Sequence, residues 1–269
     1  MNARSKPVLR ENPNGFSVDK PEWASQQWGQ LIPLPQWMVY KAAIQAARSA
    51  QVPFMLGGAF GLARYTGRWR NTKDIDFFVR EADGLRLIEA LLQAGFSDYH
   101  EQLAYDRSWI YRAVQDDVIV DVIWTTPNHH MVVDEDWFQH ARGVTIQDEE
   151  LQVIPAEELL WIKTFVMQRD RCDWPDLVNL LAAAGPDLQW DRLLARFGDD
   201  APLLHSVLLL FSWVCPDGAA QLPQMVRERF SLPGQNFRLG DETEKRRVAL
   251  LDSRPWYAAF QPADAPMRL

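Results

Sequence analysis

Cysteine is scarce in this chain: Cys172 and Cys215 are the only two among 269 residues. Two thiols can in principle bridge, but they make neither a disulfide framework nor a zinc ligand set. A reduced cytoplasmic setting is therefore the expectation. Histidine is also sparse, with five residues and none at a metal-ligating spacing, which ranks a histidine-dependent metallohydrolase last among the candidates. No apolar run is long enough to cross a bilayer, so no membrane partner is expected. The stretch from Met1 to Lys20 is polar and lacks the apolar segment of a secretory signal. Positive charge is short too: the formal net charge is −8, which gives no global attraction to nucleic acid or to an anionic membrane. Repeats and low-complexity blocks are missing as well.

What is present suits a globular protein with an ample core, 47% apolar and 24% charged. Residues 1–35 are rich in Pro, Asn, Gln and Ser and read as an irregular N-terminal arm, laid over the body by Trp23 and Trp28. Residues 36–154 form the expected catalytic domain. Its first helix covers 35–50, with Met38, Ala42, Ile44 and Ala46 on an apolar face. A short strand at 52–56 closes on Gly57-Gly58 and a helix restarts at 59–65. A strand at 75–79 precedes a helix at 84–94, with Leu85, Ile88, Leu91 and Leu92 inward and Gly95 as its stop. Residues 108–114 and 118–124 read as a hairpin turning at Gln115-Asp116-Asp117. Strands mixed with helices indicate an α+β fold. From about Pro155 the pattern changes to helices at 156–169, 174–184, 191–197 and 203–213, a helical bundle over 155–232. An irregular, proline-bearing tail occupies 233–269.

Three aspartates stand where strands should carry apolar residues. Asp74 and Asp76 flank Ile75 ahead of Phe77-Phe78-Val79, and Asp121 interrupts Val118-Ile119-Val120 and Val122-Ile123-Trp124. Side chains alternate along a strand, so Asp74 and Asp76 project the same way. Buried carboxylates are costly unless paired or holding a metal, so three together suggest a cation. Carboxylates on neighbouring strands can hold one or two Mg²⁺ with phosphate oxygens, as in-line displacement at phosphorus requires. The Gly57-Gly58 turn lets backbone N–H groups approach phosphate, and the next helix adds its positive end. Arg64, Arg68, Arg70 and Lys73 supply local positive charge suited to a polyphosphate.

Plainer readings stand beside these. Asp-x-Asp is common on surfaces, and Asp121 serves equally as the buried partner of an arginine. The glycine pair alone is an ordinary strand-to-helix turn, and the arginines a solvated helix face. Asp116 and Asp117 belong to a turn, and Asp173 and Asp176 to a helix start favoured by the macrodipole. His129-His130 find no third ligand. Trp161, Trp190 and Trp213 fit helix packing, whereas Trp69 and Trp124 lie nearer the site, where stacking on a base is open.

Leu56-Gly57-Gly58, then Arg70-Asn71-Thr72-Lys73-Asp74-Ile75-Asp76, then a strand aspartate at Asp121, resembles the DNA polymerase β-type nucleotidyltransferase superfamily. The R-x-T-x-D-x-D form is similar to small bacterial members, antibiotic-modifying enzymes and abortive-infection toxins among them. The likeness is clearest over 36–125, and helical segments at 155–163 and 169–176 extend it. It implies a polymerase β-like core, a mixed sheet with flanking helices, followed by the helical bundle. It also implies transfer of NMP from an NTP to a hydroxyl acceptor, with pyrophosphate released. Asp74 and Asp76 would then ligate both of two Mg²⁺ ions, and Asp121 the one that activates the acceptor hydroxyl, whose proton it would take. Gly57 and Gly58 would cradle the β- and γ-phosphates, with Arg64, Arg68, Arg70 and Thr72 as further nucleotide-binding candidates. Lys163 would reach phosphate from the second half, a weaker carry-over. Many relatives carry serine at the second turn position, where Gly58 has no hydroxyl.

The acceptor stays open among a small molecule, a protein side chain and tRNA, although an acidic chain without a basic stripe disfavours extended nucleic acid. The alternative is a non-catalytic nucleotide-binding or regulatory module on the same fold. Retention of all three aspartates counts against it.

Overall fold

The computed structural model describes residues 27–167 and 171–232, together with 243, 246 and 247. The expected arm over 1–35 and tail over 233–269 therefore fall largely outside the described residues, Trp23 included. Within 1–35, a 3₁₀ turn at Gln27–Leu31 and the start of the first helix replace the irregular reading.

Helix α1 (Leu34–Ser49) follows Pro33 and carries Pro35 in its first turn, where a missing N–H costs nothing. Its buried stripe is Trp37, Tyr40, Ala43, Ile44 and Ala47, at helical spacing. Of the expected face, Ile44 and Ala46 are buried and Ala42 is half-buried, but Met38 is 57% exposed, because the larger Trp37 and Tyr40 set the inward direction. Strand β1 (Met55–Leu56) leads through Gly57 into α2 (Gly58–Thr66), which stops on Gly67 in the left-handed region. Strand β2 (Asp74–Phe78) is followed by α3 (Glu81–Gln93), with Glu81 and Asp83 in its first turn. Only Leu87 and Leu91 are fully inward leucines of α3. Leu85 and Leu92 are exposed, because Gly84 rather than Leu85 faces the sheet, where its ideal Cβ would lie 3.4 Å from Trp124.

Strands β3 (Ser97–Asp98), β4 (Ile110–Gln115) and β5 (Val118–Ile123) come next, then α4 (Glu135–His140). A hairpin of β6 (Arg142–Ile146) and β7 (Glu149–Val153), absent from the sequence reading, completes a seven-stranded mixed sheet in the order β3-β4-β5-β2-β1-β7-β6. Helix α5 (Ala156–Thr164) ends five residues short of the expected 169. Phe165 closes it, and residues 168–170 lie outside the described set. Helices α6 (Trp174–Ala184), α7 (Trp190–Phe197), α8 (Ala201–Val214), α9 (Pro216–Ala220) and α10 (Gln224–Arg229) follow.

Two apolar clusters flank the sheet. One joins α1 and α2 to Phe77, Val120 and Val122; the other joins Phe78 and Ile123 to Leu159, Leu177 and Phe211 of the helical half. Trp161 and Trp190 pack there as expected, but Trp213 is 38% exposed. Trp69 is no base-stacking residue. It is buried against Phe60 and stacked on Trp28 at 5.2 Å, because α2 and the 3₁₀ turn leave it an apolar slot. Trp124 donates from its indole to the Ser108 carbonyl and does not line the cleft described below. Cys172 is exposed, Cys215 is buried, and no disulfide joins them.

Candidate active site

The parallel pairing of β2 with β5 sets Asp76 opposite Asp121, and the antiparallel pairing of β5 with β4 sets Asp121 opposite Arg112. Three neighbouring strands thus carry a row of Asp76, Asp121 and Arg112, with Asp74 two residues along β2. Gly57 continues the row on the other side, its N–H donating to the Asp76 carbonyl. Ligand oxygens of Asp74, Asp76 and Asp121 all lie within 4.8 Å of one another. They floor a cleft of about 260 Å³, lined also by Gly58, Arg70, Thr72, Arg112, Lys163, Arg171 and Asp173.

Burial and mutual repulsion within the trio make ionisation of Asp76 and Asp121 unfavourable. Burial, followed by the charges of Asp74 and Asp121, pushes the Asp76 carboxyl well above the usual carboxylate range. Burial also pushes Asp121 up to about 7, even with the Arg112 guanidinium opposing the shift. Asp121 is 2% exposed, and its Oδ1 is buried with no hydrogen bond. The pairing with Arg112 is close but incomplete: Nη2 donates to Oδ2 at 3.3 Å, and Nε lies 3.1 Å from Oδ1 without hydrogen-bond alignment. A buried carboxylate oxygen left open beside two more carboxylates is the chemistry of a hard-cation site. Asp121 thus faces an arginine, and its Oδ1 has the openness that a ligand reading requires.

Around the trio, Thr72 Oγ1 donates to Asp74 Oδ1, and Tyr40 Oη donates to the Asp74 carbonyl at 3.1 Å. Lys163 is 6% exposed, and its ammonium donates to Asp173 at 2.8 Å and Asp176 at 2.7 Å. Those aspartates head α6, yet their side chains serve Lys163. Arg171 also donates to Asp173, and Arg70 reaches Asp176 at 3.4 Å.

The cleft therefore gathers Gly58, Arg70, Thr72, Asp74, Asp76, Asp121 and Lys163. Gly57 stands just behind, where a Cβ would strike the Phe78 ring at 2.1 Å. Arg64 and Arg68 are not among the lining residues, and Arg64 donates to the Gly143 carbonyl on β6. Sequence reasoning missed Arg112, Arg171 and Trp109 as lining residues. The signal for Arg112 existed: a two-residue loop at Asp116 and Asp117, both at positive φ, fixes residue 112 opposite 121. His129 and His130 hold loops instead, on Ser108 and Asp200.

No helix among the described residues is long and apolar enough to cross a membrane. No curated protein matches the chain. Solved structures similar to it include the antibiotic-resistance factor ANT(2″)-Ia, at 14% identity over 64% of this chain and 95% of that one, with a TM-score of 0.46. The lincosamide antibiotic adenylyltransferase LnuA matches at 18% identity over 55% and 96%, with a TM-score of 0.40. JHP933 from Helicobacter pylori matches at 15% identity over 87% and 98%, with a TM-score of 0.39. Likenesses this distant carry nothing about substrate. The family model is a different matter, because it spans residues 55–211 and so the glycine turn, all three aspartates and Lys163. The chain belongs to the family described as uncharacterised nucleotidyltransferase.

Proposed function

We propose that the chain transfers a nucleoside monophosphate from an NTP to a hydroxyl acceptor and releases pyrophosphate. The observation that carries this reading is the carboxylate trio within 4.8 Å, with the open Oδ1 of Asp121, at the floor of a cleft also lined by Arg70, Arg112, Lys163 and Arg171. Asp74 and Asp76 would hold two Mg²⁺ ions and Asp121 one of them. Such ions would offset the charge of the triphosphate and lower the pKa of the acceptor hydroxyl.

The protein's own groups divide the remaining work. The turn at Gly58 and the N-terminal end of α2 receive the β- and γ-phosphates, because Gly58 puts no side chain between backbone N–H and ligand, while the Gly57 N–H braces the turn on the Asp76 carbonyl. Arg70, Lys163 and Arg171 line that end of the cleft and offset phosphate charge. Thr72 holds Asp74 in place through its hydroxyl. Arg64 and Arg68, outside the lining, have no contact with nucleotide in this reading. The acceptor oxygen attacks the α-phosphorus while the bond to the β-phosphate breaks, and its electron pair leaves with pyrophosphate. The acceptor proton passes to the Asp121 carboxylate, which stands on the acceptor side of Asp76 in the row across the sheet.

The test is incubation of the full chain with each α-labelled NTP and Mg²⁺ in cell extract, beside Asp76→Asn. Label carried into an acceptor fraction by the wild type alone supports the reading. Equal labelling by the variant refutes it.

A further inference from the structure

The acceptor's chemistry is written into the row of residues across the sheet. The phosphate-cradling turn follows β1, the metal-type carboxylates lie on β2 and β5, and Arg112 is on β4, beyond Asp121. If the triphosphate lies at the glycine end, the acceptor hydroxyl comes from the opposite end, past Asp121. The first charged group it meets there is the Arg112 guanidinium.

Among the described lining residues, the rest of that end carries no carboxylate. Trp109, Ile110, Ile123 and Pro127 line it with Thr125 and Thr126, whose hydroxyls are committed to the Met131 carbonyl and to Asn128. Apart from the trio, the one carboxylate in the cleft lining among the described residues is Asp173, held by Lys163 and Arg171 on the other side. Arg112 is also presented for use. Its backbone N–H donates to Tyr105 Oη at 2.6 Å, and its guanidinium lies 5.8 Å from the Tyr105 ring. Nε and Nη2 face Asp121, with only Nη2 in hydrogen-bond alignment. Filling the carboxylate site with cations weakens Asp121's hold on Arg112 and leaves a planar donor fork for a second oxyanion.

We propose that Arg112 is the specificity-determining residue of the acceptor subsite, and that the acceptor is a hydroxyl compound carrying a phosphate close to the reacting hydroxyl. Polyamino sugars are disfavoured by the same charge. This rests on the function proposed above and adds the class of acceptor to it.

The experiment uses the full chain with Mg²⁺ and the NTP that stabilises it, in a non-hydrolysable form. Glucose phosphate, glucose, a polyamino sugar and a short RNA ending in a 3′-hydroxyl are titrated against this complex by calorimetry. The expected result is saturable binding of a phosphate-bearing probe only. Arg112→Gln should weaken it about tenfold or more while nucleotide affinity stays within about twofold, and Arg112→Lys should recover part of the loss. Unchanged nucleotide affinity also shows that the variants fold. The sugar and RNA arms separate a small phosphate ester from a polymer backbone. Tighter binding of glucose or the polyamino sugar, no binding of either phosphate probe, or equal binding by Arg112→Gln overturns the inference and leaves nucleotidyl transfer standing. Failure of the wild type to bind any NTP with Mg²⁺ overturns both.

Discussion

A side chain on Gly58 would compete with Asp76 for the same space: an ideal Cβ there would lie 1.8 Å from Asp76 Oδ2, at a backbone φ of +48°. A left-handed conformation costs a residue with a Cβ about 1–2 kcal/mol by itself, and the carboxylate would also have to swing away. Gly58→Ala is therefore expected to lose NMP transfer and to raise the Mg²⁺ concentration needed for thermal stabilisation. Gly58→Ser should fare no better, although serine is frequent at this position of the turn in the superfamily it resembles. A serine variant with wild-type Mg²⁺ dependence would show that the turn and Asp76 are not in this contact.

Asp76→Asn and Asp121→Asn both remove a metal-type ligand, so both should abolish transfer. Their effects on the metal-free fold should diverge. Asp76 is destabilised by burial and by two neighbouring carboxylates, so the amide should raise the melting temperature by a few degrees. Asp121 faces Arg112, and its loss leaves a half-buried guanidinium without its carboxylate, which offsets the relief. Differential scanning in EDTA measures the difference. Equal stabilisation of both variants would deny the Arg112 pairing any energetic weight.

The aspartates were legible in the sequence because each breaks an apolar run, a violation that needs no tertiary knowledge. Partnerships across strands were less so. Arg112 reads as the outward residue of an ordinary strand until the hairpin register is fixed, and only then does it face Asp121. The β6–β7 hairpin escaped because its turn at Gln147 and Asp148 lacks the usual glycine or asparagine, even though Val144, Ile146, Leu151 and Val153 alternate inward. Lys163 was ambiguous for a related reason. Its role depends on Asp173 and Asp176, which look like helix-start residues until α5 and α6 pack together. Buried faces of α1 and α3 were misjudged by one or two positions, since short Ala- and Leu-rich helices offer several near-equal stripes.

The raised carboxyls give the metal-free protein a definite pH dependence. Asp121 titrates at about 7 in the fold, Asp76 is also raised, and both return to about 3.9 when the chain unfolds. Between those limits the folded state binds more protons than the unfolded one. These two groups make stability fall as pH rises from about 4 through 7, and Glu158, also raised to about 7, adds to the fall. Mg²⁺ binds the deprotonated carboxylates, so the stabilisation it confers should grow over the same interval. Urea midpoints at several pH values, with EDTA and with Mg²⁺, test this. A metal-free midpoint that climbs with pH, or a Mg²⁺ increment that shrinks with it, contradicts the assignment.

A second charge network lies away from the cleft and holds the fold together. Arg192 on α7 contacts Asp136 of α4 at 2.9 Å and Glu157 of α5 at 3.2 Å, and also donates to Glu158. Arg196, one turn on, reaches Glu158 at 3.2 Å and Asp134 at 2.7 Å. The Glu158 side chain is fully buried, and burial pushes its carboxyl up to about 7. Removing one partner from such a network strands charge in low dielectric, at a cost of about 3–5 kcal/mol. Arg192→Met is expected to lose stability on that scale. Glu158→Gln, which removes the charge that is costly to bury, should lose far less. In the double variant the penalty of Arg192→Met should shrink, because one of the two glutamates it strands is now neutral. Urea unfolding of the four proteins gives the coupling directly. Additive effects would mean that Arg192 and Glu158 contribute separately to stability.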